Sequence, residues 1–135
     1  MTEIIKTNQS EWIAYYVYLR KELGYNEEQI QYQKSQTPDF IVTNNDNTKV
    51  WFDAKEVGAS KNIGFSYNQL SFLTAMNAKL ILTDKKNSKI VDVGTVPELR
   101  SKGYYMVQIP DKIDWDRRTE FALLEKRLKF TSFLF

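Results

Sequence analysis

The sequence predicts a single α/β domain, residues 1–135, in which helices flank a central mixed β-sheet. Three observations favour this fold class. Helix-like and strand-like segments follow one another in the order α-β-β-β-α-β, apolar residues make up 42% of the chain, and Gly and Pro are scarce. The length of 135 residues is that of one domain of common size. We therefore expect an α/β sandwich built around a mixed sheet.

The first element predicted is a helix at residues 9–24. Ser10 is a candidate for its N-cap, and Gly24 is a residue typical of a helix end. Apolar residues recur at helical spacing and predict one buried stripe, which consists of Trp12, Tyr16, Leu19 and Leu23.

Three strands should follow this helix. Residues 28–33 alternate polar and apolar side chains and indicate an edge strand. Two more strands, at 39–43 and 49–55, are separated by the sequence NNDN, which favours a turn. Because side chains alternate between the faces of a strand, Asp53 and Lys55 should share one face, about 7 Å apart along the strand.

The second half of the chain predicts further alternation. Residues 57–66 contain two Gly and two Ser, and we expect them to form a mobile loop. Beyond this loop we expect helices at 67–78 and 114–130, a short helix or turn starting near Pro97, and strands at 79–84, 89–94 and 104–110. Leu70, Leu73 and either Ala78 or Met76 should face the core from the first of these helices.

Composition excludes several kinds of active site. The chain contains no Cys and no His, which excludes thiol nucleophiles, Ser-His-Asp triads and the usual zinc sites. Chemistry must therefore come from carboxylate, lysine, tyrosine or hydroxyl groups. Any metal should be a hard cation held by oxygen, such as Mg²⁺ or Mn²⁺.

Three ionisable side chains lie at the predicted mouth of the hairpin. Asp39 opens the first strand of the hairpin, and Asp53 and Lys55 close the second. In an antiparallel hairpin the start of the first strand lies opposite the end of the second, so the two aspartates should approach one another. Neighbouring carboxylates repel, and a divalent cation relieves that repulsion. The pattern therefore indicates a metal site with a lysine beside it.

The spacing of these residues resembles the signature of the PD-(D/E)xK nuclease superfamily. Pro38-Asp39 is followed 14 positions later by Asp53-Ala54-Lys55. The α-β-β-β-α-β order is also the core of that restriction-endonuclease-like fold. FDAKE, followed by a loop and a Q-x-x-x-L helix, looks most like RecU-type Holliday junction resolvases, and the first 57 residues also resemble archaeal resolvases. The resemblance covers residues 9–82.

The resemblance implies a role for each matching residue. Asp39 and Asp53 would bind Mg²⁺ or Mn²⁺, and the backbone carbonyl of Ala54 would complete the set. Lys55 would be the catalytic lysine. The two remaining catalytic candidates are helix-borne: Glu11, as an acid that joins the metal site or holds a second metal, and Gln69, as a residue that orients the site or touches the scissile phosphate. The implied activity is hydrolysis of DNA phosphodiester bonds, with branched DNA as the substrate.

Each of these residues also has a purely structural interpretation. Asp39 would be a strand-start aspartate, Asp53 and Lys55 an exposed ion pair, and Glu11 a residue that compensates the helix dipole. Gln69 would be an ordinary polar residue at a helix start. Two alternatives to a junction-resolving enzyme stay open: a nuclease of the same fold with a restriction, repair or exonuclease activity, and a non-catalytic DNA-binding protein.

Basic and apolar clusters suggest partners. Lys34 and Lys61 flank the motif and are candidate phosphate contacts, while several more Lys and Arg crowd the predicted last helix. The C-terminal sequence FTSFLF is apolar and suggests packing against the domain or a second copy. Resolvases act as homodimers, so we expect a homodimer. Without Cys or a membrane-spanning apolar run, we expect a cytoplasmic protein, consistent with a phage or mobile-element nuclease.

Overall fold

The computed structural model describes residues 8–34 and 36–109 and shows a mixed α/β fold. The helices are α1, which comprises the α-helical turn Gln9–Trp12 and its π-helical continuation Ile13–Glu22, α2 (Tyr67–Ala75) and α3 (Val96–Ser101). The strands are β1 (Ile30–Tyr32), β2 (Phe40–Thr43), β3 (Lys49–Glu56), β4 (Asn62–Ser66), β5 (Lys79–Asp84), β6 (Lys89–Gly94) and β7 (Tyr105–Ile109). Short 3₁₀ turns occupy Glu27–Gln29 and Ala59–Lys61. The helix expected at 114–130 and the apolar C-terminus lie outside the described residues.

Five strands form the main sheet, in the order β1-β2-β3-β5-β6. Strand β2 is antiparallel to both β1 and β3, β3 pairs in parallel with β5, and β6 is antiparallel to β5. Parallel neighbours need a crossover connection, and α2 lies within it. Strand β3 is therefore the central strand of a mixed sheet, with β1 at one edge as the sequence predicts.

The predicted hairpin is formed by β2 and β3. Its register pairs Phe40 with Phe52 at one end and Thr43 with Lys49 at the other. The turn is closed by the N–H of Asn44, which donates to the carbonyl oxygen of Thr48 at 2.8 Å. The end opposite this turn is open, and the motif residues lie there.

Two apolar clusters cover opposite faces of the main sheet. One packs against α1 and contains Ala14, Tyr15, Leu19, Ile30, Phe40, Val42, Phe52, Ala54 and Ile81. The other packs against α2 and α3 and contains Ile63, Phe65, Leu70, Leu73, Ala78, Leu80, Leu82, Val96, Leu99 and Tyr104. Leu70 and Leu73 thus face the core as the sequence predicts. Within β3, Phe52 and Ala54 belong to the first cluster, so Asp53 and Lys55 lie on the α2 side.

The loop expected at 57–66 is wrong over its second half, because β4 occupies Asn62–Ser66. Ile63 and Phe65 alternate inward, and the strand pairs in parallel with β7 to form a separate two-stranded sheet. The partner strand begins about 40 residues later in the sequence, so no local pattern reveals the pairing. In addition, Gly64 in the middle of β4 makes the segment look like a loop.

Two expectations for α1 are also wrong. The N-cap is Asn8, whose Oδ1 accepts from the N–H of Glu11 at 3.1 Å, while Ser10 is buried and its hydroxyl contacts that of Thr83 at 2.7 Å. Leu23 is 41% exposed rather than part of the buried stripe. The cause is the π-helical geometry, seen in the 2.8 Å bond from the N–H of Leu23 to the carbonyl of Tyr18, which changes the spacing of the buried face.

Among the described residues, no helix is both long and apolar enough to cross a membrane.

Candidate active site

Asp39 and Asp53 meet at the open end of the β2–β3 hairpin. The backbone N–H of Asp39 donates to Oδ1 of Asp53 at 3.0 Å. In return, the backbone N–H of Ala54 donates to Oδ2 of Asp39 at 2.9 Å. This reciprocal pair of bonds follows from the register of the hairpin. Its last pair at the open end is Phe40 opposite Phe52, and Asp39 and Asp53 are the next residues beyond that pair. We refer to it as the aspartate clasp.

The clasp places two carboxyl groups where negative charge is costly. Asp53 is only 1% exposed, and Asp39 is half-buried. Burial, together with the negative charges of Asp53 and Glu11, raises the pKa of Asp39 to about 9. Burial also raises the pKa of Asp53, against the lowering effect of the nearby Lys55 ammonium. The pair therefore favours a bound proton or cation.

Lys55 lies beside the clasp and has three contacts. Its Nζ is 3.4 Å from Oδ2 of Asp53 and donates a 2.7 Å hydrogen bond to Oε1 of Gln69. It also lies 5.0 Å from the centroid of the Phe65 ring. The contact with Asp53 is an ion-pair contact by distance only, since Oδ2 of Asp53 is buried and accepts no hydrogen bond from the described residues. One carboxylate oxygen is thus left for another ligand.

Gln69 connects the lysine to the segment that precedes β2. It lies in the first turn of α2, where the Ser66 side chain caps the helix by accepting from the N–H of Gln69. Its Oε1 holds Lys55, and its Nε2 donates to Oγ1 of Thr37 at 3.3 Å. The amide therefore fixes the position of the ammonium relative to both strands of the hairpin.

Glu11 reaches the same region from the opposite side of the sheet. Its Oε2 accepts a 2.8 Å hydrogen bond from the hydroxyl of Tyr32, and a hydrogen bond to Asp39 contributes to the raised pKa of that aspartate. Even so, the described residues contain no group of three His, Cys, Asp or Glu side chains able to hold a metal together. Glu11 therefore lies next to the clasp, and its part in metal binding stays a prediction.

A set of two carboxylates and one carbonyl fits a hard cation. Within a strand, the N–H and C=O of one residue point to the same side, so the carbonyl of Ala54 lies on the side where its N–H meets Asp39. Mg²⁺ commonly binds through one or two carboxylates and retains waters, rather than using a complete protein cage. The buried Oδ2 of Asp53, which accepts no hydrogen bond from residues 8–34 or 36–109, fits this need.

Two hollows flank the site. One, of about 340 Å³, is polar and is lined by Asn8, Gln9, Ser10, Ala54, Lys55, Glu56 and Lys85. The second, of about 290 Å³, is lined by Thr37, Ser66, Asn68, Gln69 and Phe72. Lys55 lines the first hollow and Gln69 lines the second, so each of these side chains borders a space that a ligand can enter.

Lys61, one of the two candidate phosphate-binding lysines, has its contacts outside this cluster. Lys61 lies before β4, about 13 Å of strand away from Phe65, and donates to the carbonyl of Lys102 at 3.1 Å. Its ammonium also lies 4.8 Å from the centroid of the Tyr104 ring. Lys34 is exposed in the turn that leads from β1 to β2. Lys61 thus has contacts of its own that stabilise the fold.

Sequence reasoning missed two residues that hold the lysine in place. Thr37 accepts from Gln69, and Phe65 lies beneath the ammonium of Lys55. Thr37 immediately precedes the Pro38-Asp39 pair, so its position next to the motif was a usable signal. Phe65 lies in the segment expected to be a loop and gave no signal.

Comparison of the chain with protein-family models, with curated proteins and with solved structures finds no match.

Proposed function

We propose that this protein is a metal-dependent DNA endonuclease with a restriction-endonuclease-like arrangement, and that it acts on branched DNA such as Holliday junctions. The observation that carries the proposal is the aspartate clasp with Lys55 beside it. The buried carboxylate of Asp53, the half-buried carboxylate of Asp39 and the ammonium of Lys55 converge at the open end of the hairpin, and Lys55 lines a polar hollow. Buried charges of this kind are costly and are rarely retained for packing alone.

The order of elements supports the same proposal. Helix α1, strands β1 to β3, helix α2 and strand β5 follow one another as in the core expected from the motif, with β4 inserted before α2. The acids lie on the β2–β3 hairpin, and the glutamine lies on the helix that crosses over to β5. The candidate residues thus lie on the elements from which the resemblance would build the site, and this agreement supports the proposal.

Asp39, Asp53 and the carbonyl of Ala54 would hold Mg²⁺ or Mn²⁺. A bound metal supplies positive charge that polarises a phosphoryl oxygen and makes a bound water more acidic. In the hydrolysis, a water oxygen forms a bond to phosphorus, the phosphodiester P–O bond breaks, and the departing oxygen gains a proton. The chain's own contribution is to hold its carboxylates so that no side-chain rearrangement is needed during the reaction.

Lys55 would stabilise the negative charge that develops on the phosphate oxygens or hold the attacking water. Its position is restrained by Gln69 and by the Phe65 ring, so its ammonium is held in place before substrate arrives. Gln69 acts through Lys55 in this scheme and is therefore a positioning residue. Glu11 would add negative charge beside Asp39 and so strengthen the attraction for a cation.

The test is cleavage of a labelled four-way junction and of a linear duplex of matching sequence, with Mg²⁺ and with EDTA. We expect the wild type to cut the junction in Mg²⁺ only. Asp53→Asn should abolish detectable cutting, and Lys55→Met should slow it by about 10²- to 10³-fold. Asparagine retains an oxygen that can accept from the N–H of Asp39, so this variant keeps the backbone contact.

Lys85→Met is the matched control for the lysine, since Lys85 lines the same hollow but pairs with Glu56 at an exposed position. It should retain most of the cleavage rate. Cleavage by Asp53→Asn at the wild-type rate would refute the assignment of the site. If the duplex is cut as fast as the junction, the protein is a nuclease but branched DNA is not its preferred substrate.

A further inference from the structure

An exposed aromatic surface adjoins the candidate site. Phe72 and Met76 are each 40% exposed on α2 and at its C-terminal end, and the half-buried Trp51 stacks on Phe72 with ring centroids 5.9 Å apart and planes at 15°. We call Trp51, Phe72 and Met76, with the flanking Lys49 and Lys79, the aromatic strip. Large apolar side chains that remain exposed together often mark an interaction surface.

The strip is continuous with the residues around Lys55. Gln69, Phe72 and Met76 are spaced by three and four residues, so they follow one face of α2. Trp51 lies two residues before Asp53 on the same face of β3. The helix face from Gln69, beside Lys55, to Met76, at the far end of the strip, is about 10 Å long, since each helical residue adds ~1.5 Å. That length matches about three stacked nucleotides of one strand.

The charge of the strip favours an anionic partner. Lys49, Trp51, Met76 and Lys79 line a hollow of about 480 Å³ together with Val50 and Asn77. None of the described residues that line this hollow or the hollow beside Gln69 is acidic. Positive charge at the end of an aromatic surface matches a polyanion with flat rings, whereas a purely apolar partner would gain nothing from the two lysines.

We propose that the aromatic strip binds an unpaired DNA strand, with bases stacked on Phe72 and Trp51 and phosphates near Lys49 and Lys79. Bases within a duplex are stacked on one another and cannot offer their faces to a side chain, so the strip selects unpaired nucleotides. The path of this DNA strand rests on the proposed function, because beyond the strip the same strand would continue to the aspartate clasp. The substrate would therefore carry an unpaired segment next to the cut, as flapped or frayed DNA does and as a four-way junction does where base pairs at its exchange point open.

The test is fluorescence anisotropy with a labelled thymidine oligonucleotide in EDTA, compared with a duplex of equal length. We expect tighter binding of the single strand by the wild type. Phe72→Ala should weaken that binding by roughly 5- to 150-fold, the loss expected for one base stack. Val91→Ala, which removes an exposed apolar side chain on β6 outside the strip, should leave it unchanged.

Tryptophan fluorescence tests the stacking itself. Oligonucleotide should quench the wild-type emission, and Trp51→Phe should remove most of the quenching. Trp12→Phe should retain it, because Trp12 packs on the opposite face of the sheet. Lys49→Gln should also reduce the dependence of the affinity on salt by about one released counterion.

These measurements separate the two proposals. Asp53→Asn should keep oligonucleotide binding while it loses cutting. Cutting by this variant would refute the active site and leave the strip untouched. Wild-type oligonucleotide affinity in Phe72→Ala would overturn the strip proposal. In that case, sedimentation compares self-association of the wild type and of Phe72→Ala. Loss of self-association in the variant would show that a second copy of the chain, rather than DNA, binds the strip.

Discussion

At the scale of single residues, the site depends on how one ammonium is held. Lys55 contacts Asp53, Gln69 and Phe65, and each contact comes from a different element. A flexible lysine side chain has many rotamers, and these contacts select one of them before substrate binds. The amide of Gln69 has the shortest of the three contacts, at 2.7 Å, and therefore has the largest part in placing the ammonium.

Replacement of Gln69 should consequently impair turnover more than binding. We expect Gln69→Ala to lower kcat by about 10- to 100-fold with little change in KM, because partners that orient a catalytic group have effects of this size. Steady-state cleavage of the junction in Mg²⁺ measures both parameters. Ser71→Ala, at an exposed position of the same helix, is the control and should behave as the wild type. An equal loss in both variants would show that the helix, not the amide, is responsible.

At the scale of elements, the end of α1 depends on one glycine. Gly24 has φ +75°, the left-handed conformation that follows many helices, and a Cβ added there meets no heavy atom within 4 Å. A substitution at this position therefore tests backbone strain without a steric clash. Left-handed backbone costs a residue with a side chain about 1 to 2 kcal/mol, and asparagine tolerates it better than most.

Gly24→Ala should lower the free energy of unfolding by about 1 kcal/mol, and Gly24→Asn by less. Urea denaturation followed by circular dichroism measures both changes. The comparison controls for the addition of a side chain, since both variants carry a Cβ. Equal stability of the two variants and the wild type would mean that the helix does not end in this conformation in solution.

The elements also show what sequence patterns reveal. Strands β5 and β6 match the predicted bounds, and the alternation in β3 correctly places Asp53 and Lys55 on one face. These features depend on residues close in sequence. The pairing of β4 with β7 and the bond between Ser10 and Thr83 join segments more than 40 residues apart, so no local pattern predicts them. The local hairpin pattern likewise predicted the aspartate pair, whereas the contact of Phe65 with Lys55 was missed because the segment of Phe65 was expected to be a loop.

At the scale of the whole molecule, the clasp makes stability depend on pH. The folded-state pKa of Asp39 is about 9, against an ordinary value of 3.8. Between these values the native protein binds a proton that the unfolded chain has released. Stability from this group is therefore fully present below the unfolded value and is lost as pH rises through the folded one. The raised pKa of Asp53 acts in the same direction.

In EDTA, the free energy of unfolding should accordingly fall as the pH rises from about 5 to about 9. Urea midpoints across this range provide the measurement. Asp39→Asn removes the titrating group and should flatten the curve, whereas Asp46→Asn, in the exposed hairpin turn, should leave the slope as it is. A wild-type stability that rises over this range would contradict the buried, crowded environment of the clasp. Mg²⁺ should restore stability at the alkaline end if the clasp binds it.

The turn that connects β2 and β3 lies at the end of the hairpin opposite the aspartate clasp. Four paired positions separate the turn at Asn44 to Thr48 from the open end where Asp39 and Asp53 meet, and the turn is exposed over most of its length. The turn therefore offers an attachment point. A fluorophore, an affinity tag or several extra residues inserted there would lie about 17 Å along the strands from the carboxylates, so the protein can be labelled or tethered to a surface without obstructing the aspartate clasp.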